Sequence, residues 1–218
     1  AASDVYKRQR YLSQKDVEKA LKDYPYHNIQ IVGRGSGKGH TNRIACYSKF
    51  PILSSRTLDY ASEYNGSVVY ELKMGEDTVM LINNHLESNK LTKEDKVVYE
   101  SMLKSPETEK VKSGARLLIR KLAEASAIRA PQADSIAQEI AASRYPYIIV
   151  CGDFNDTPIS YAHRVIEKGL NDAFTKSGRG LGISYNQNKF YFRIDNILAS
   201  KNPVSYTHLR AHETPEHL

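Results

Sequence analysis

The sequence predicts an α/β sandwich whose strands pair mainly antiparallel. Three observations carry this. Short apolar runs of strand character are interspersed with segments of helical periodicity, so the chain is neither all-α nor all-β. The runs GSVVYELKM and TVMLINNHL flank the turn residues GED, which reads as a hairpin and therefore as antiparallel pairing. The apolar strands need cover on one face, and this order of elements favours a sandwich over a doubly wound parallel sheet.

The elements follow in chain order. Ser13 is a cap candidate ahead of Val17, Ala20, Leu21 and Tyr24 at helical spacing. HNIQIV reads as a short strand, GRGSGKGHTNR as a glycine-rich loop, and IACYSKFPIL as a strand ending at Pro51. After the hairpin come two helices, Thr92 to Leu103 and about Glu107 to Ala142. Pro131 lacks the N–H its turn requires, so the second helix is expected to kink or divide there. YPYIIVCGDF is a buried strand. Thr157 as cap and Pro158 in the first turn are expected to open the helix PISYAHRVIEKG. GRGLGISYNQN reads as a loop and FYFRIDNIL as a last strand.

The 218 residues are enough for one domain with a sizeable core, and 40% hydrophobic with 26% charged residues is a globular composition. No apolar run approaches bilayer length. Cys46 and Cys151 lie inside apolar runs and read as buried thiols, not as a disulfide framework. The net charge of +6 suits a polyanionic or phosphorylated partner, although a soluble basic protein needs no such partner.

Both ends read as foreign to the rest. One DNA segment encoding Asp4 to Gln9 has a reverse complement that, one frame over, encodes Val204 to His208. This resembles a transposon-end library adapter translated on opposite strands. Residues 1–9 and 203–218 are accordingly expected to be adapter-like and non-native, and residues 10–202 to be a partial domain. HLRAHETPEH falls within the second excluded stretch and lacks the zinc-protease spacing.

Several residues carry chemistry in prospect. Gly33, Gly35, Gly37, Lys38 and Gly39 approach a phosphate-binding loop, but three residues instead of four precede the Gly-Lys pair and Gly39 follows where Ser or Thr belongs. A surface loop is the better reading, with Arg34, Lys38, His40 and Arg43 near an anionic substrate. NNHLES puts His85 near a strand end. GDFNDTP puts Asp153 and Asn155 on one side of a strand tip, because alternate residues share a face, with Phe154 directed into packing. RIDNIL puts Asp195 within a strand, where a carboxylate is costly without a partner or a role. Singly, each has an ordinary structural reading as a satisfied histidine, a turn aspartate or an Asx-turn asparagine.

Together and in this order, NNHLES, GDFNDTP and FRIDNIL, with ACYSKFPI upstream, resemble the endonuclease/exonuclease/phosphatase superfamily of DNase I-like fold. The resemblance runs from about Arg10 to Asn202. It implies a four-layer α/β/β/α sandwich with mixed, mainly antiparallel sheets, here lacking the early strands of one sheet and the closing strand of the other. It implies divalent-metal-dependent hydrolysis of a phosphodiester or phosphomonoester by an activated water, with Mg²⁺ or Mn²⁺ suited to hard oxygen ligands. Asp153 would orient or activate the water and approach the metal. Asn155 would hydrogen-bond a phosphoryl oxygen or the nucleophile and is a second possible metal contact. His85 would donate to another phosphoryl oxygen, and Asp195 would orient a second histidine. Asn65 lies where relatives contact a phosphate.

The chain departs from the pattern at both ends. No Gln-Glu pair precedes ACYSKFPI, so the principal glutamate ligand is absent, and no Ser-Asp-His follows RIDNILASKN. The chain alone is therefore expected to be inactive and its parent protein to be the enzyme. The alternative is a catalytically dead relative that binds phosphate or nucleic acid; a P-loop nucleotide binder is disfavoured by the loop spacing. The partner implied is a phosphoester substrate, whether nucleic acid, phosphorylated small molecule or lipid, acted on by a monomer. Lys104, Lys110, Lys112, Arg116, Arg120 and Lys121 form either a nucleic-acid stripe or, more simply, a solvated helix face.

Overall fold

Alternation in the central hairpin sets the architecture. In the computed structural model, which describes residues 14–33, 42–104, 109–187 and 190–200, the hairpin strands are β4 (Gly66–Met74) and β5 (Asp77–His85). Upstream are α1 (Gln14–Ala20), β1 (Tyr26–Val32), β2 (Asn42–Ser48) and β3 (Ile52–Thr57). Downstream are α2 (Lys93–Lys104), α3 (Glu109–Ala142), β6 (Tyr147–Asp153), α4 (Tyr161–Glu167) and β7 (Leu170–Asp172). The last elements are α5 (Ala173–Ser177), β8 (Tyr185–Gln187), β9 (Phe190–Phe192) and β10 (Asp195–Ser200).

Six strands form one mixed sheet in the order β3-β4-β5-β6-β10-β7. Every neighbouring pair is antiparallel except β5 and β6, which are parallel. A parallel pair needs a long crossover, and α2 and α3 provide it. β1 and β2 form a separate antiparallel pair, tied to the main sheet where Gln30 Nε2 donates to Ser55 Oγ at 2.8 Å.

The side-chain period of two then divides the core. Val69, Met80, Ile82, Ile148, Val150 and Leu198 face one way and pack with Ala133 and Ile136 of α3 and Ala162 and Ile166 of α4. Val68, Tyr70 and Leu72 face the other way and pack with Val32, Ile44 and Cys46 of the two-stranded sheet. β4 is thus buried on both faces, which explains its near-continuous apolar run. Mixed sheet, covering helices and a second sheet correspond to the predicted α/β class.

Some boundaries differ from the sequence reading. The strand expected to end at Pro51 stops at Ser48, and β3 begins just past the proline. α3 is not divided at Pro131. Pro131 is exposed, so its ring faces away from the core, while Ala133 and Ile136 bury fully against the sheet and outweigh one missing backbone bond. The cap of α4 is Ser160, not Thr157: Ser160 Oγ accepts from His163 N–H, and residues 157–160 form a preceding turn. FYFRIDNIL is two strands, broken where Ser184 Oγ accepts from the N–H groups of both Ile194 and Asp195 at 3.0 Å. β7 and α5 were not anticipated. Arg34, Lys38 and His40 of the glycine-rich loop, and both adapter-like ends, lie outside the described residues.

Candidate functional site

Strand register assembles the site. β5 and β6 run parallel and end level, with His85 opposite Asp153; β10 begins beside β6, with Asp195 opposite Asp153. His85, Asp153 and Asp195 therefore form one row across three adjacent strands. The row lies on the face that also carries Leu81, the side of the two-stranded sheet. Asp153 is fully buried, and its Oδ2 lies 4.0 Å from His85 Nε2.

β6 ends at Asp153, so strand alternation does not extend to Asn155 as the sequence suggested. A turn brings Asn155 in instead. Asp153 Oδ1 accepts the Asn155 N–H at 2.9 Å, and Asn155 takes a left-handed φ of 50°, a region asparagine tolerates. Its side-chain Nδ2 donates to Leu86 O at 2.9 Å. Asn65 Nδ2 donates to the same carbonyl, also at 2.9 Å. Both predicted amides thus converge on the residue after His85. Phe154 turns into the helix-side core.

Behind the row, the next residues inward face the helices. Asn84, Gly152 and Asn196 are aligned in register, and Ser67 on β4 pairs with Asn84. Tyr60, Ser67 and Asn84 form a hydrogen-bonded chain of 2.7 and 2.5 Å, and burial raises the Tyr60 hydroxyl far above the ordinary tyrosine range. His163 sits deeper, packed near Phe154, with its ring 1% exposed. Burial lowers its pKa, against the opposing pull of the Glu167 and Asp172 carboxylates. Burial pushes the Asp172 carboxyl up, but the paired Arg193 guanidinium and Thr175 outweigh it and hold the group below its usual value.

Sequence reasoning missed the residues that hold these loops. Arg129 and Gln132 of α3 are both buried beneath them. Arg129 bonds the loops after β5 and after β6, and Gln132 Oε1 accepts the Glu87 N–H at 2.9 Å. Their signal was a position: Arg129 precedes the end of α3 by about as much axial rise as Asp153 stands above the start of β6.

The metal expected by resemblance needs several oxygen ligands. Asp153 and Asp195 are of the right chemistry, but among the described residues no three His, Cys, Asp or Glu side chains are grouped to hold an ion. Asp153 Oδ1 is also engaged by the Asn155 N–H. The described residues alone do not fit a complete divalent-cation site. Of the expected basic stripe, Lys104, Lys112, Arg116 and Arg120 are exposed, Arg120 pairs with Glu124, and Lys121 is committed to Asp95 at 2.7 Å.

Solved structures share this fold. Zebrafish (D. rerio) TDP2, solved with a single-strand DNA product, superposes with a TM-score of 0.53 at 16% identity, covering 89% of this chain and 70% of its own. The human Nocturnin catalytic domain, solved with a bound sulfate anion, gives a TM-score of 0.51 at 12% identity, over 88% of this chain and 66% of its own. A Staphylococcus aureus beta toxin gives 0.52 at 15% identity, over 86% and 67%. At these identities the likeness speaks for the fold, which is DNase I-like. No curated protein sequence matches the chain. The sequence profile of the Endonuclease/Exonuclease/phosphatase family matches residues 7–216, and the chain belongs to that family.

Proposed function

We propose that the parent protein of this domain hydrolyses phosphoester bonds with an activated water, and that this chain alone is inactive. The observation that carries the reading is the row of His85, Asp153 and Asp195 on one sheet face, with the amides of Asn65 and Asn155 beside it. Asp153 is the base that orients the water and takes its proton. His85 donates to a phosphoryl oxygen as negative charge develops there. Asn155 has a second amide hydrogen beyond the one given to Leu86 O, and it serves the same end without adding negative charge. In the parent protein Asp195 would orient a second histidine, because the Ser-Asp-His of the family pattern does not follow RIDNILASKN here. Mg²⁺ or Mn²⁺ is proposed as the cofactor of the parent protein on the family's account; Asp153 would supply one oxygen ligand, and ligands beyond the described residues would be needed to complete the site.

Nucleic acid is the proposed substrate class. The TDP2 neighbour was solved with single-strand DNA, and this chain carries a net charge of +6. The test is turnover of a single-stranded DNA, an RNA and an inositol phosphate by the full-length parent protein and by the purified chain, each with Mg²⁺. Turnover abolished in both Asp153→Ala and His85→Ala supports the reading; turnover that survives Asp153→Ala overturns it. Absence of turnover by the parent protein together with tight single-strand binding selects the catalytically inactive binder, whereas absence of turnover by this chain alone is the expected outcome.

A further inference from the structure

A buried arginine is expensive, because the hydration of its charge is lost even when a partner is present. Arg129 is 2% exposed beneath the loops that follow β5 and β6. It is the largest fully buried side chain among the described residues. Replacing such a residue and its partner by apolar groups is often neutral for stability, so global stability alone does not account for it.

Its contacts show what it does account for. Nη1 donates to Glu87 O and to Asn89 Oδ1, both at 2.8 Å, in the loop after β5. Nε and Nη2 both meet Asp156 Oδ2 at 3.0 Å, in the loop after β6. Nη2 also reaches Ser126 Oγ on its own helix, at 3.3 Å. Asn89 passes the connection on, since its Nδ2 donates to Asn155 O at 3.0 Å. Asn155 Nδ2 then returns to Leu86 O. The guanidinium, with donors in a rigid fork, thus closes a ring joining the loop that follows His85 to the turn that follows Asp153.

We propose that Arg129 is a positioning residue: with Asn89 it fixes Asn155 and the Asp153 turn against His85, so that both strand tips keep one geometry toward the substrate. The proposal rests on the phosphoesterase reading for its catalytic consequence but not for its structural one. Displacements of about 1 Å at such a site can cost about a hundredfold in rate, so a clamp of this kind acts on kcat more than on binding.

The experiment compares the full chain with Arg129→Lys and Asn89→Ala, and with Arg56→Gln as a control. Arg56 pairs with Glu139 farther along α3, away from the row. Lysine keeps the charge but not the fork. Asn89→Ala leaves Arg129 in place and tests the relay if Arg129→Lys fails to fold. Amide hydrogen exchange is read at Asn155, whose N–H is held by Asp153, and at Ile82 and Val150 in the sheet core. The expected result is at least tenfold faster exchange at Asn155 in the clamp variants, unchanged exchange at Ile82 and Val150, and no change in the control. In the parent protein with a turnover substrate, kcat should fall at least tenfold with KM within threefold. Exchange at Asn155 within twofold of wild type overturns the proposal, and so does an unchanged kcat despite a loosened turn. A parent protein without turnover counts against the phosphoesterase reading, and the exchange comparison on the chain then decides the clamp by itself.

Discussion

Gly152 is the most constrained residue beside the site, and Gly152→Ala is the sharpest perturbation of it. Two effects add. The residue has φ of 130°, a region that L side chains rarely adopt, which costs on the order of 1–3 kcal/mol. An added Cβ would also fall on the Asn84 carbonyl oxygen, with Asn84 C and N at 2.8 Å. These atoms are backbone of the adjacent strand, so no rotamer change relieves them. β5 and β6 must move apart next to His85 and Asp153. Strand separation at a packed centre costs about 1–3 kcal/mol more, as overpacking does. Together these give about 2–6 kcal/mol, centred near 4 and a large share of the stability of an ordinary domain.

Gly75→Ala separates the two effects. Gly75 has φ of 63° in the hairpin turn, but no atom lies within 4 Å of its added Cβ. It therefore carries the backbone penalty alone, about 1 kcal/mol. The assay is urea unfolding followed by circular dichroism. With a slope of about 2 kcal/mol per molar, Gly152→Ala should lower the midpoint by about 2 M and Gly75→Ala by about 0.5 M. Failure of Gly152→Ala to fold lies in the predicted direction. Equal shifts for the two variants would refute the argument, because they would mean that close strand approach adds nothing to the backbone term.

Three further outcomes follow from the same packing. Because burial depresses the His163 pKa, the unfolded state binds its proton first as pH drops; stability should decline below about pH 6.5, toward the folded value, and His163→Gln should flatten that decline in urea midpoints at pH 7.5 and 5.5. Ser160→Ala removes the side-chain acceptor of the His163 N–H at the start of α4 and should cost about 1 kcal/mol, whereas Thr157→Ala should cost less by the same unfolding assay. Phe154→Ala empties a fully buried position between the strand tip and α4 and should cost about 3–5 kcal/mol, a loss not reproduced by Tyr161→Ala, whose ring is exposed.

What was legible in the sequence was local or strand-bound. The hairpin could be read because its turn residues and both apolar runs lie within twenty residues. The row residues could be read because a polar group at the tip of an apolar strand conflicts with burial unless it has a use. What escaped depends on distant partners. The break between β9 and β10 follows from Ser184, ten residues from Ile194. α5 has five residues and no periodicity to betray it; Asp172 makes it by capping the Phe174 and Thr175 N–H groups. Thr157 and Ser160 are equally good caps on paper, and only the turn ahead of α4 decides between them. Arg129 reads as one more basic residue on a helix until the sheet beneath it is in place.

The parallel pairing of β5 and β6 is what brings the row of the candidate site together. In a simple hairpin, consecutive strands end at opposite edges, so His85 and Asp153 could not both stand at C-terminal tips in one row. The crossover through α2 and α3 returns the chain to the starting edge, and β6 then climbs to the same level as β5. The returning helix has a second consequence. From Arg129 to Ala142 is thirteen residues, about 20 Å of helix; from Tyr147 to Asp153 is six residues, about 20 Å of strand. Descending α3 and ascending β6 therefore place Arg129 level with Asp153, beneath the loops it clamps. A deletion of two residues in α3 between Arg129 and Ala142 would lower that level by about 3 Å and rotate the side chain by more than half a turn. It should release the Asn155 turn while leaving the sheet register, set by the strands themselves, unchanged.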